Sequence, residues 1–352
     1  MEIWRAGGSN TGASPETARA IEAEGWDGQM FMCSQCLSAD PWVQMGVWAT
    51  GTTRLKLSPG VTNPFTRNLA VTAGAAATVQ AVSGGRAVLG IGRGDSALAY
   101  LGHAPVGLKV FERALRHLQV LLSGGEIPFA EFGSSGDAPD LHSLSLGARP
   151  EGVSLRWLDK ALPKVPLDVA ATGPKVIEMG ARIAERVTFS VGADPERLQW
   201  ALATARGAEA GRGVSYGAQL VVVCHPDEAT AMDVAMHMAP PLARFQVIQG
   251  TKVGPTDAAA DENLEAIRQG YDMTKHGGAH NRDRIVGGGL TPDFVRRFAV
   301  VGTPDQVTAR LLELKRLGLE RFVLVGPGFY PAEWGEAGSL FQREVMPALR
   351  AG

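Results

Sequence analysis

Short apolar runs rich in valine, isoleucine and leucine recur along this chain, and each is followed by a stretch whose apolar residues stand three and four apart. That switching between a strand period and a helix period is the mark of parallel βαβ units. Eight runs qualify, at 2–6, 28–32, 55–58, 87–92, 167–171, 187–191, 217–224 and 321–325. Eight strand-helix units count to a closed (β/α)8 TIM barrel, where a doubly wound sheet needs fewer. Helix starts are well marked: Ser14-Pro15-Glu16-Thr17 and Gly302-Thr303-Pro304-Asp305 each put proline just inside a capping residue.

With 352 residues, 45% of them apolar, the chain has material for one large barrel or for two ordinary domains. The count of units favours one α/β domain over 1–352. Two stretches interrupt the rhythm, at about 124–158 and 238–292, and are expected to be rim insertions. Loops that long in a compact protein are commonly lids or poorly ordered, so substrate selectivity is expected there.

A net charge of −2, from 34 basic and 36 acidic side chains, provides no broad positive field for nucleic acid or anionic membrane. Small molecules are the expected partners. The opening residues 1–10 lack a signal-peptide pattern, and the small-residue run 70–82 is broken by Thr72, Thr78 and Gln80, so a cytoplasmic protein without a membrane span is expected. Three cysteines, Cys33, Cys36 and Cys224, do not make a disulfide framework.

Two motifs carry chemistry. In Leu57-Ser58-Pro59-Gly60-Val61-Thr62-Asn63-Pro64 a strand runs straight into a turn with two prolines, a glycine and an asparagine. Such an ending offers unusual backbone to a barrel mouth, or else forms a tight loop in which Asn63 caps the next helix. In Gly90-Ile91-Gly92-Arg93-Gly94-Asp95-Ser96 three alternating glycines close a strand. A dinucleotide fingerprint would need glycine where Asp95 stands, so that reading fails on spacing. The glycines would let a flat ligand approach the strand end. Asp95 either caps the next turn or, kept partly protonated by desolvation, serves as a general acid.

Together with Gly25-Trp26-Asp27, these motifs resemble the luciferase-like monooxygenase superfamily and, within it, the deazaflavin branch of enzymes such as the methylenetetrahydromethanopterin reductases. The match runs to about residue 195 and resumes over 297–349. The resemblance implies a hydride-transferring oxidoreductase that uses coenzyme F420, with FMN as the alternative cofactor. It implies a cis peptide at Gly60-Val61 behind the cofactor ring, with Thr62 and Asn63 touching the ring or its tail and Gly92 and Arg93 flanking it. It also implies that Asp95 is the proton donor, and that the cofactor phosphate sits against Thr172-Gly173-Pro174-Lys175 and Gly192-Ala193, where backbone N–H groups at a helix start attract anions. A homodimer is implied as well. Trp42, Val43, Met45 and Trp48 on the second helix would either pair two copies or face the core.

The chain departs from the family after the second strand, where many relatives carry an acidic residue and this chain has Cys33, Ser34 and Gln35. These three are expected to line the substrate pocket. The Cys33-x-x-Cys36 spacing lacks the helix start of a redox dithiol and the two further ligands of a zinc site. Tyr271, Lys275 and His276 form a second polar cluster. Lys275 could hold an anion and His276 donate a proton, or both could be solvated surface; no metal site is expected. Three further readings stay open: an FMN-dependent monooxygenase of the same fold, a flavin-binding barrel without activity, and a lyase or isomerase barrel, for which only Lys175 stands near a strand end.

Overall fold

The computed structural model describes residues 1–133, 138, 139, 141–276, 279–330 and 332–351. Parts of both expected insertions, 134–137, 140, 277 and 278, lie outside the described residues. Eight parallel strands form where the apolar runs place them: β1 (Glu2–Gly7), β2 (Gly28–Phe31), β3 (Lys56–Pro59), β4 (Leu89–Ile91), β5 (Leu167–Ala171), β6 (Arg186–Phe189), β7 (Ser215–Cys224) and β8 (Arg321–Val325). Their hydrogen-bonded order is β3-β2-β1-β8-β7-β6-β5-β4, so first and last strands in space are neighbours in sequence.

The ring closes between β3 and β4 through two isolated bridges. Leu57 N donates to Arg86 O at 3.0 Å and Val88 N to Leu57 O at 2.9 Å; farther up, Thr62 N donates to Gly90 O at 3.0 Å and Gly92 N to Thr62 O at 2.9 Å. Between the two lies the Gly60-Val61 peptide bond, which is cis. The strand edges of the barrel are thereby paired all round, which an open parallel sheet cannot achieve.

Barrel helices follow the strands in turn: α1 (Pro15–Ala23), α2 (Pro41–Gly51), α3 (Leu69–Ser83), α4 (Leu108–Leu122), α5 (Pro174–Ile183), α6 (Pro195–Ala208), α7 (Pro304–Lys315) and α8 (Met346–Ala351). Ser14 caps α1 by accepting from Thr17 N, and Thr303 forms a capping box with Gln306 at α7. The helix α4 shows why such segments fold against a barrel: Phe111, Leu115, Leu118 and Leu121 are fully buried, while Arg113 and Arg116 point outward. Each of the buried side chains contributes roughly 1.5–3 kcal/mol by leaving water. On α2, Trp42, Met45 and Trp48 join the core, and Val43 is 70% exposed.

The two expected insertions differ in character. The first holds an antiparallel pair, Ile127–Pro128 with Gly152–Val153. The second is largely helical, with Ala258–Gly270 and Ala279–Gly287 inside it and Glu228–Met238 and Pro292–Phe298 on either flank. Its apolar residues, among them Leu264, Ile267, Ile285, Val295 and Phe298, form a cluster of their own against Val221 and Val223 of β7. A short strand, Val300–Gly302, pairs with the end of β7 beside the barrel. Arg197 of α6 holds the insertion down by donating to Val253 O at 2.7 Å and to Pro255 O, and Arg297 grips Asp194 at 2.6 Å.

Charged groups plug the amino-terminal end of the barrel. Glu2 of β1 meets Arg186 of β6 at 2.6 Å and Lys56 of β3, while Asp168 of β5 meets Arg321 of β8 at 3.1 Å. Burial by itself would raise the Glu2 carboxyl, but Arg186 and then Lys56 outweigh it and bring the group down to about 2 from its ordinary 4.5. A carboxyl depressed in the folded state contributes stability that is present above its unfolded value and is lost as pH falls toward the folded one. In denaturant titrations across pH, stability is expected to fall between about 4.5 and 2. Glu2→Gln should remove on the order of 2 kcal/mol at neutral pH, allowing for screening at Lys56, and should flatten that acid limb. An acid limb left unchanged would contradict the pairing.

Candidate functional site

At the carboxyl ends of the strands the barrel opens into a cavity of about 970 Å³, which is at the upper end of the range for small-molecule sites. Its floor is made by inward side chains such as Ala170, Thr188, Ser190 and Gln219, and its side walls by Met32, Val61 and Gly92. The second insertion covers it with Leu242, Phe245, Ile248 and Gln249. The mouth is therefore built by β-strand ends and roofed by the helical insertion, which is where barrel enzymes put their chemistry.

The loop after β4 carries Asp95. Gly94 has φ +85°, a left-handed conformation that suits glycine, and the turn carries Asp95 to the cavity wall. The Asp95 side chain makes no cap bond to the short helix Ser96–Ala99. It pairs instead with Arg244 of the insertion, whose Nη1 donates to Oδ1 at 2.8 Å and whose Nη2 donates to Oδ2. Both Asp95 oxygens thus accept from a guanidinium, the geometry of a charge-assisted bidentate pair. Arg244 is itself buried, stacked 4.7 Å over the Phe245 ring and 5.0 Å over Tyr271.

His276 reaches the same cavity from the insertion. Its Nδ1 lies 2.7 Å from the Tyr271 hydroxyl. Burial first, and then the charge of Arg244, push the imidazole down to about 4 against a partial counter-effect from Asp95, so the ring is neutral near physiological pH. Arg93 donates from Nε to Val106 O at 2.7 Å and its terminal nitrogens face the Gln249 side-chain amide. Among the described residues no carboxylate lies within salt-bridge distance of Arg93, so the cavity wall holds a positive charge answered only by neutral oxygens.

The cavity brings together Cys33, Ser34, Gly60, Val61, Gly92, Arg93, Asp95, Thr172, Gly173 and His276 of the sequence-derived candidates. The others lie off its walls for identifiable reasons. Thr62 and Asn63 are sealed behind the bulge; Asn63 Oδ1 accepts from Phe65 N and Thr66 N at 3.0 Å each and so closes the turn over 63–66, while the next helix, α3, is capped by Asn68. Gln35 is turned aside to donate to Ala97 O. Pro174 and Lys175 are exposed on the first turn of α5, and Lys275 is exposed on the rim. Gly192 and Ala193 are covered by Phe298, whose carbonyl accepts from Ala193 N at 2.7 Å. Gly90 does not admit a ligand either: a Cβ there would lie 2.2 Å from Pro59 O, so this glycine permits close approach of the bulge backbone.

The Cys33 thiol, raised above its usual range by burial, sits in the wall, while Cys36 is exposed and unpaired. Arg244, Phe245 and Gln249 were missed by motif reasoning. One signal was available, a lone arginine inside the apolar run Pro241-Leu242-Ala243-Arg244-Phe245, since a charge in such a run is seldom buried without a partner.

The geometry agrees with what the comparisons show. The sequence profile of the family described as luciferase-like monooxygenase matches residues 5–321. The 5,10-methylenetetrahydromethanopterin reductase of Archaeoglobus fulgidus is 25% identical over 315 residues, 86% of each chain. The F420-dependent glucose-6-phosphate dehydrogenase of Nocardia farcinica is 26% identical, over 85% of this chain and 80% of that one. In three dimensions the coenzyme F420 dependent tetrahydromethanopterin reductase of Methanopyrus kandleri superposes with a TM-score of 0.69 at 22% identity, covering 99% of this chain and 100% of the other.

Replacing Arg244 by methionine should leave the Asp95 carboxylate half-enclosed without its cation and should loosen the roof. A stability loss of about 2–4 kcal/mol is expected in urea unfolding, and faster proteolysis within 244–276. Asp95→Asn combined with Arg244→Met should restore part of it. A loss of less than about 0.5 kcal/mol for Arg244→Met would show that the pair does not hold the roof.

Proposed function

Since this chain belongs to the luciferase-like monooxygenase family, we propose that it is an oxidoreductase that passes a hydride between coenzyme F420 and a small organic substrate held in the roofed cavity. The observation that carries the reading is the cavity itself, which joins an apolar bed at the Gly60-Val61 bulge to a cation, Arg93, that has no carboxylate partner among the described residues. A flat ring with an anion-bearing tail matches that combination, and the relatives named for F420 support it.

When bound, the deazaflavin supplies two-electron hydride chemistry; the protein supplies position, exclusion of water and a proton. Val61 and Gly92 would bed the ring. Arg93, together with Thr172 and Gly173 at the start of α5, would hold the negatively charged tail. Cys33 and Ser34 would face the substrate. Asp95, with both oxygens engaged by Arg244, would fix Arg244 and the roof over the reacting atoms rather than give up a proton. Two copies pairing as a homodimer is part of the same reading, with the exposed Val43 on α2 at the contact.

Titration of the purified protein with F420, followed by ring fluorescence, should give micromolar or tighter binding. FMN should bind at least tenfold more weakly, about 1.4 kcal/mol. Arg93→Met should weaken F420 by a similar factor. Preference for FMN would move the activity to oxygen-using monooxygenase chemistry; failure of both cofactors to bind would contradict an oxidoreductase site.

A further inference from the structure

We propose that His276, oriented by Tyr271 and Arg244, is the proton donor of the site, and that the substrate is a carbonyl compound with an apolar body, interconverted with the corresponding alcohol. The inference rests on the hydride-transfer reading above and adds to it the acid and the substrate class.

The turn bearing His276 is fastened from three sides. Tyr100 donates to Met273 O at 2.8 Å, and the Asn281 amide accepts from Asp272 N at 2.6 Å and donates to Lys275 O at 2.9 Å. The ring is then set by its neighbours. The Arg244 guanidinium lies 5.0 Å over the Tyr271 ring, and a cation beside a phenol strengthens its O–H as a donor, so the tyrosine hydroxyl donates to His276 Nδ1, 2.7 Å away. Nδ1 is therefore an acceptor and the ring proton sits on Nε2. No described protein group takes that Nε2–H, and His276 lines the cavity. The charged and titratable groups that face the ring are Tyr271 from its own segment, Arg244 from the insertion and Asp95 from the β4 loop; Lys275 points to solvent. Burial holds the imidazole at about 4, so it is a neutral hydrogen-bond donor across physiological pH.

The step balances without another reagent. When a carbonyl carbon receives the hydride, its oxygen takes the proton from Nε2, and Nδ1 takes the proton of the Tyr271 hydroxyl. The imidazole ends neutral with its tautomer reversed, and the negative charge rests on the Tyr271 oxygen beside Arg244, to be quenched by solvent. Alcohol oxidation runs the same path backward. The arrangement takes the place of an acidic residue at Cys33, a position that in this chain offers only a buried thiol raised above its usual range. The cations near His276 do not select an anionic substrate, because Arg244 is already neutralised by Asp95. Met32, Leu37, Val234, Met238, Leu242 and Ile248 give the remaining wall an apolar stretch, with Asp233 and His237 at its edge, and that stretch suits a carbonyl on a hydrocarbon body.

The test combines a spectrum with kinetics. In the cofactor-free protein, long-range proton–nitrogen correlation spectra of the imidazoles near neutral pH should show His276 neutral, with its proton on Nε2. In Tyr271→Phe that proton should spread over both nitrogens. A proton on Nδ1, or an imidazolium near neutral pH, would overturn the assignment. His276→Gln should bind F420 within twofold of the unaltered protein, yet oxidation of prebound reduced F420 by acetone, cyclohexanone or acetophenone should slow on the order of 100-fold. An unchanged rate would overturn the proton-donor role, and no oxidation by any of the three in the unaltered protein would overturn the carbonyl class. Absence of F420 binding to the unaltered protein would defeat the reading of function, while the imidazole spectrum would still decide how the proton is held.

Discussion

A parallel sheet leaves two unpaired edges, and everything distinctive about this molecule depends on how the edges of β3 and β4 are joined. The seam is made by two isolated bridges, through Leu57 with Ala87 and Thr62 with Ile91, around the bulge at Gly60-Val61. The lower bridge closes the barrel over its packed and ion-paired base. The upper one returns the chain to register only after the bulge has turned backbone into the mouth. The residues that accommodate this do so by being small: Gly90 lets the bulge carbonyl pass, and Gly92 leaves open wall beside Val61. Barrel closure and the flat bed for a ligand are the same piece of geometry.

The roof is a second body of packing laid over that mouth. Its helices have their own apolar cluster against the outer face of β7 and are tied to the barrel by guanidinium groups that reach carbonyls or carboxylates across the joint. One of these ties, Arg244 to Asp95, lies inside the cavity. It converts two charges that would be costly to bury singly into a neutral pair, and it stacks on Tyr271, the residue that orients His276. Holding the roof and setting the proton donor are thus coupled through one side chain.

The strands were legible in the sequence because a strand buried on both faces needs a continuous apolar run, as in Leu220, Val221, Val222 and Val223 of β7, and nothing distant alters that need. The helix starts at Ser14 and Thr303 were legible for an equally local reason. The insertion was not. Its glycines and polar residues read as loop, whereas Leu264, Ile267, Ile285 and Phe298 obtain their burial from one another and from β7, contacts that no local window contains. The site divides the same way. Motif residues such as Gly92, Arg93 and Asp95 stand on the cavity wall, but the partner of Asp95 lies 149 residues away. Spacing could not pair them. The Asp95–Arg244 pair was not foreseeable for that reason, and neither was Phe298, which arrives from far along the chain to cover Gly192 and Ala193.

The central claim is that the cavity under the insertion holds the deazaflavin. Amide hydrogen exchange of the protein with and without F420 tests it most directly. The account predicts that slowed exchange will concentrate at residues 60–63, 92–95 and 172–176 and in the roof over 244–253. Protection confined to the outer groove along α4, around Lys109, Arg113 and Arg116, would contradict it.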